Sequence, residues 1–221
     1  GTLLLFSLHD GRVPEPPFEG PTLEWYGRVL SDDRIVEATG QSVLVGVVSA
    51  LISVSLAFLA GWGLARHRIP GKRLIVGVGL LVAFGSVIPK SVGFIIIGHV
   101  VLNLPLAFAI LYVQFDATQG RLEQAARDLG AREWQVFTRV TLPLMRVPVI
   151  AALALCFTFS WDEFIVAFLL TGFDPTLPVV IWGLLRTGLD PQTNAAGTLV
   201  FLVSIMTFLA VELAVFRKRK P

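Results

Sequence analysis

The chain has 221 residues, of which 54% are apolar and 15% charged, with a formal net charge of +2. A charged fraction this far below the quarter usual in water-soluble domains excludes an ordinary soluble globule and makes lipid part of the solvent. The single cysteine, Cys156, excludes a disulfide framework, and the absence of a basic stripe interleaved with aromatics excludes nucleic acid as a partner.

A membrane-spanning helix needs about 20 mostly apolar residues. Thr2–Leu8 reads as the tail of a first span that begins before the sequence does. His9–Gln41 is a polar loop whose "PEPPFEGP" predicts turns and extended chain, followed by a short helix in "TLEWYGRVL". A second span runs from about Ser42 to Ala65. A third, Leu74 to about Phe84, has only 11 residues before the turn "GSVIPKSVG", and the expectation is that part of it is missing from the sequence. The fourth span is Val92–Val113, the fifth Val147–Leu170 and the sixth Ala195–Phe216. The predicted architecture is therefore all-α: one polytopic, six-span domain over residues 1–221, with loops at 9–41 and 114–146.

The basic residues orient these spans. Thirteen of the 18 Lys and Arg lie in "RHRIPGKR", in the loop from Gln114 to Arg146 and in the tail "RKRK"; the other five are Arg12, Arg28, Arg34, Lys90 and Arg186. Because positive loops stay in the cytoplasm, loop 114–146 is predicted to be cytoplasmic, loop 9–41 periplasmic and both ends cytoplasmic. No cleavable signal peptide is visible.

Within the cytoplasmic loop stands "LEQAARDLGAREWQVFTRVTLPL", a polar, helix-forming interruption. Good helix formers run from Leu122 to Leu129, and Gly130 stops them as a C-terminal glycine does. A second helical piece, "AREWQVFTRV", is expected to end before Leu142-Pro143, where proline opposes continuation. Ala125 and Ala126 are small enough for a partner to approach closely. The stretch suits either a docking knob or a solvated interfacial helix.

The spacing of this stretch resembles the EAA loop of the membrane subunits of binding-protein-dependent ABC importers. After the Glu position, Ala125-Ala126, Gly130, Val140 and Leu142-Pro143 fall at the family's intervals. One position departs: Gln124 stands where the family has Glu, with Glu123 before it. The resemblance implies a type I ABC importer permease fold. It implies that Glu123, Gln124, Ala125, Ala126, Gly130, Leu142 and Pro143 form the coupling segment that docks on a dimer of ATPase subunits. Because the Gln124 amide cannot form an ion pair, any charge contact with the ATPase is expected either to move to Glu123 or to vanish. It further implies a second homologous permease subunit and a periplasmic substrate-binding protein as partners. The sequence carries no Gly-rich Lys-Ser/Thr phosphate loop, so no cofactor is expected in this chain; ATP and its Mg would be held by the ATPase.

Most of the chain, above all "FSWDEFIVAFLLTG" and "LPVVIWGLLRTGLDPQTNAAGTLVF", looks like the polyamine (spermidine/putrescine) permease branch. The residues fit that cargo. Asp162 follows Val147 by about 15 residues, or roughly 22 Å of helix, and a carboxylate at that depth is a functional candidate. An oligoammonium needs carboxylates and aromatic faces; Asp162, with Glu163 beside it, and Trp161 or Trp182 can supply them. Neighbours on a helix point about 100° apart, so only one carboxylate can face the path squarely, and Asp162 is preferred. A structural ion pair of Asp162, with Arg186, Lys90 or a partner subunit, is the alternative. His99 is expected to be a buried, cross-helix hydrogen-bonding residue, and Asn103 and Pro105 to line the path or kink the fourth span. An opine, an iron chelate, thiamine or an aminophosphonate are the other cargoes of related branches. A stand-alone carrier or membrane enzyme would need a connected set of ionisable groups; Asp162, Glu163, His99 and Glu212 are scattered, so no catalytic residue and no metal site are expected.

Overall fold

The computed structural model describes residues 7–8, 21–66, 90–115, 117–187 and 191–216, and its elements are helices. In chain order they are α1 (Glu24–Ser31), α2 (Asp33–Arg66), α3 (Val92–Tyr112), α4 (Ala117–Asp128), α5 (Glu133–Val136), α6 (Leu142–Trp161), α7 (Ile165–Leu170), α8 (Leu177–Thr187) and α9 (Pro191–Phe216). Among the described residues four helical stretches are long and apolar enough to cross a membrane: Asp33–Gly63, Val92–Tyr112, Glu133–Trp161 and Pro191–Ala210. They overlap the predicted second, fourth, fifth and sixth spans. The predicted third span, and the predicted first span apart from Ser7 and Leu8, lie outside the described residues.

Helices α2, α3 and α6 form the centre of the bundle. Lipid offers no hydrophobic drive for helix association, so close packing and interhelical hydrogen bonds must supply it. The core here is accordingly built on small residues: Ala50, Ala57, Ala107, Ala152 and Cys156 are buried against Val54, Leu111 and Met145. A Cβ on Gly46 would stand 3.0 Å from the Phe157 ring, and one on Gly61 3.1 Å from Phe115. A polar seam crosses the same interface. Ser49 donates to Ser160 (3.1 Å), His99 Nδ1 is hydrogen-bonded to Ser160, Ser53 donates to the Val100 carbonyl, and Asn103 donates to the Cys156 carbonyl. His99 is 1% exposed, as its cross-helix role predicts, while His99 Nε2 and Asn103 Oδ1 are buried with no hydrogen-bond partner among the described residues.

A second core joins α1 and the start of α2 to α8 and α9, through Trp25, Val29, Ile35, Trp161, Leu177 and Ala195. Ser42 of α2 accepts the Leu177 N–H that opens α8, at 2.8 Å. Outward faces are apolar, with Leu51, Leu56, Phe201, Met206 and Phe208 exposed, as a lipid-facing surface requires.

The structure corrects two expectations about the fifth span. Its foot is longer than predicted: the helical piece at Glu133 does not end before Leu142-Pro143 but continues through a π-helical turn, Phe137–Thr141, into α6. Pro143 lacks the N–H that a continuing helix would bond, and the wide turn in front of it spares its ring the usual crowding with the carbonyl four residues back. Its outer end is broken: the helix stops at Trp161 instead of running to Leu170, and α7 starts anew at Ile165.

Helix α7 seats on α3 at Gly98, where an added Cβ would lie 2.5 Å from Val166 and 2.7 Å from Leu170. Gly98→Val is expected to lower stability by about 1–3 kcal/mol through overpacking, read as an earlier thermal transition of the detergent-solubilised protein. A transition unchanged from the parent would show that α7 is not held there.

Candidate functional site

Two sites emerge at opposite ends of the bundle. One end gathers α1, Lys90, the α7–α8 loop and the start of α9: Gly172 abuts the Lys90 carbonyl, and Gln192 donates to Asp32. The other end gathers Gly61, Trp62, Phe115 and the loop from α4 to α6.

The first site is the break after α6. Asp162 ends the helix, its N–H still bonded to the Thr158 carbonyl. Its carboxylate accepts the Ser204 hydroxyl of α9, at 3.3 Å to each oxygen, and is exposed. Among the described residues no Lys or Arg pairs with it, so the alternative ion pair with Arg186 or Lys90 does not form. Glu163 turns the other way: its Oε1 accepts the Val166 N–H at 2.9 Å. A carboxylate at the N-terminus of α7 satisfies an orphan amide and complements the helix dipole, which is why the chain can restart a helix here. The divergence expected from adjacent helical positions therefore has another origin, because the two residues do not share one helix.

Asp162 borders a cavity of about 250 Å³ with Phe164, Pro178, Trp182 and Val200. Trp182 is 44% exposed, and its ring lies 5.4 Å from that of Phe164. Trp161 does not join them. It is 2% exposed, stacks on Phe157 and donates to the Val200 carbonyl at 3.3 Å, so it is a packing residue in this structure. Of the four predicted pathway residues, the structure brings Asp162 and Trp182 together and directs Trp161 and Glu163 elsewhere. Phe164 and Ser204 were not anticipated. Phe164 followed Asp162-Glu163 in plain view, but Ser204 is 42 residues away, with no local signal.

The second site is the loop from α4 to α6. Helix α4 ends in a Schellman arrangement: Gly130 has φ +84°, its N–H reaches the Arg127 carbonyl, and the Ala131 N–H reaches Ala126. Only glycine takes that backbone without strain. Leu122, Ala125 and Leu129, at helical spacing, form an outward apolar stripe, and Trp134 follows beyond the turn. Leu129 is 90% and Trp134 72% exposed. Ala126 is half-buried, Gln124 is exposed and bonded to Asp128, and Leu142 and Pro143 are exposed at the foot of α6.

Glu123 is the exception. It is 0% exposed and accepts the Thr141 hydroxyl at 2.8 Å. Its carboxylate therefore does not reach the loop surface, so of the two expected outcomes a charge contact with the ATPase through Glu123 has no geometry here. The reason is one of angle: Gln124 sits about 100° further round the helix and takes the outward position. Arg127 spans the turn, with Nε 2.7 Å and Nη2 3.2 Å from the two oxygens of Glu133. That carboxylate raises the guanidinium pKa above its ordinary value.

Comparison with known proteins identifies the family. Residues 42–220 match the family described as "Binding-protein-dependent transport system inner membrane component". The spermidine/putrescine transport system permease protein PotC of Escherichia coli is 28% identical over 92% of this chain and 83% of its own length. The putrescine transport system permease protein PotI of Escherichia coli is 27% identical, covering 94% and 82%. The trehalose transport system permease protein SugB of Mycobacterium tuberculosis is 29% identical, covering 86% and 77%. A crystal structure of a bacterial ABC transporter that imports the acidic polysaccharide alginate superimposes with a TM-score of 0.58 over 99% of this chain and 89% of the other, at 18% identity, which speaks for the fold. The family match covers most of the sequence, the helices are those of a multi-pass membrane protein, and the chain belongs to the inner membrane components of binding-protein-dependent transport systems.

Proposed function

We propose that this chain is a non-catalytic permease subunit of an ABC importer that moves polyamines from periplasm to cytoplasm by alternating access. A partner ATPase dimer would dock on the stripe of Leu122, Ala125, Leu129 and Trp134, hydrolyse ATP and drive the spans; a second permease and a periplasmic binding protein complete the assembly. The cytoplasmic placement of the loop 114–146 and of both ends follows from the positive-inside count.

The observation that carries the cargo assignment is the Asp162 carboxylate on the wall of the 250 Å³ cavity, facing the aromatic pair Phe164 and Trp182, with no cationic side chain in the lining. An ammonium gains a charge-assisted hydrogen bond from such a carboxylate and a cation–π contact from the indole, and its methylenes suit the apolar remainder. An anionic cargo gains nothing from this wall. The PotC and PotI likenesses support the same reading.

The test is import into proteoliposomes holding the complex that co-purifies with this chain. Labelled spermidine or putrescine is expected to accumulate with ATP, and each to compete with the other. Accumulation of labelled trehalose, with polyamines excluded, would overturn the assignment in favour of the sugar-permease likeness.

A further inference from the structure

Glu123 combines three features that a solvated surface helix does not need. Its carboxylate is fully buried. It accepts a hydrogen bond from the hydroxyl of Thr141, itself fully buried, in the π-helical turn at the foot of the fifth span. And Arg127, one helical turn on, lies 3.8 Å from its other oxygen while forking onto Glu133 across the Gly130 turn. A buried carboxylate is costly unless paired and hydrogen-bonded. The pairing here ties three segments that are otherwise separable: α4, α5 and the π turn.

The π turn is where such a tie has most effect. Its hydrogen bonds close wide, five-residue loops, as from the Leu142 N–H to the Phe137 carbonyl, and turns of this kind mark points where a helix can bend. Phe137, its first residue, packs edge-on against Phe58 and Trp62 of α2, at ring separations of 5.9 and 5.7 Å. So the joint is braced by α2 on one side and by the α4 carboxylate on the other.

We propose that Glu123 is a positioning residue: its bond to Thr141, backed by Arg127, fastens the docking helix α4 to the root of α6 so that displacement of α4 moves the span. This rests on the coupling role proposed above. The buried carboxylate works inside the permease, and the exposed stripe beside it meets the partner. Without the fastening, α4 would still dock, and ATP would still be hydrolysed, but the joint would absorb the movement.

The experiment measures ATP hydrolysed per polyamine imported in the reconstituted complex. Thr141→Val removes the hydroxyl and keeps the shape; Glu123→Leu removes the acceptor. Each is expected to raise ATP spent per molecule imported about tenfold, the scale of losing one buried hydrogen bond to a charged group. The double variant is expected to be no worse than either single one, because both remove the same contact, and Thr141→Ser is expected to behave as the parent. Hydrogen exchange on the parent complex supplies a reading that does not depend on variants surviving: amides of α4 and of residues 137–141 are expected to open together. Independent, faster opening of α4, or a parent ratio in both Thr141→Val and Glu123→Leu, overturns the proposal. Gly130→Pro in the same assay separates it from the coupling role. If Gly130→Pro imports normally, the docking role itself fails; if it does not import while Thr141→Val is normally coupled, only the fastening fails.

Discussion

Gly130→Pro is expected to abolish ATP-driven uptake while the chain remains inserted in the membrane. The residue is held at φ +84°, whereas proline is confined near −65°. The substitution also deletes the N–H that reaches the Arg127 carbonyl at 2.8 Å. The two effects together exceed about 3 kcal/mol, more than a short surface helix can absorb. The turn must rearrange, Arg127 loses its register with Glu133, and the stripe from Leu122 to Trp134 is no longer one surface. The spans do not depend on this turn, because their core lies between α2, α3 and α6. Deleting Ala125 and Ala126 is expected to give the same phenotype by a different route, since two residues rotate the rest of α4 by about 200°. The measurement is uptake normalised to the amount of chain in the membrane fraction. Parental uptake in either variant would mean that this loop does not couple.

Asp162→Asn is expected to reduce polyamine uptake about ten- to a hundredfold. The amide keeps the shape and can still accept the Ser204 hydroxyl, so the break after Trp161 survives, while the charge that an ammonium would pair with is gone. A hydrogen bond to a charged group contributes about 1.5–3 kcal/mol, which sets the range. ATPase activity stimulated by the loaded binding protein is expected to fall much less, because Asp162 and the docking loop lie at opposite ends of α6. Glu163→Gln is the internal control. Its amide oxygen can still accept the Val166 N–H, so uptake is expected to stay near the parent's. Asp162→Asn with undiminished uptake would place the cargo path elsewhere, and a loss of assembled complex would make Asp162 a structural ion-pair partner of another subunit.

Both predictions depend on features that differ in how far local chemistry announces them. The spans were legible because about 20 apolar residues in a row have one stable use. The turn at Gly130 was legible because a glycine after a run of helix formers, with helix formers resuming beyond it, is a local signal; the Schellman bonds involve only residues 126 to 131. The proposed orientation rests on charges alone, which act through the membrane and need no tertiary contact.

The break in the fifth span was not legible. Hydropathy stays high from Ile165 to Leu170, so the apolar run conceals it. Glu163 folding back on Val166 and Asp162 reaching Ser204 across 42 residues decide it. The same holds for the choice between Trp161 and Trp182. Both are aromatic residues near Asp162 in space, but only packing against Phe157 and Val200 buries the first, and only its place beside Phe164 leaves the second on the cavity. Pro143 was a stop by local rule, yet a π turn in front of it let the helix continue. And composition cannot rank Glu123 against Gln124. One helical step of about 100° and the contact with Thr141, 18 residues on, put the carboxylate inside and the amide outside. The sequence by itself determined where the chain crosses lipid and where it turns. The tertiary structure decided which polar side chains are spent on holding helices together and which are left free to meet something else, because that depends on neighbours that are close only after folding.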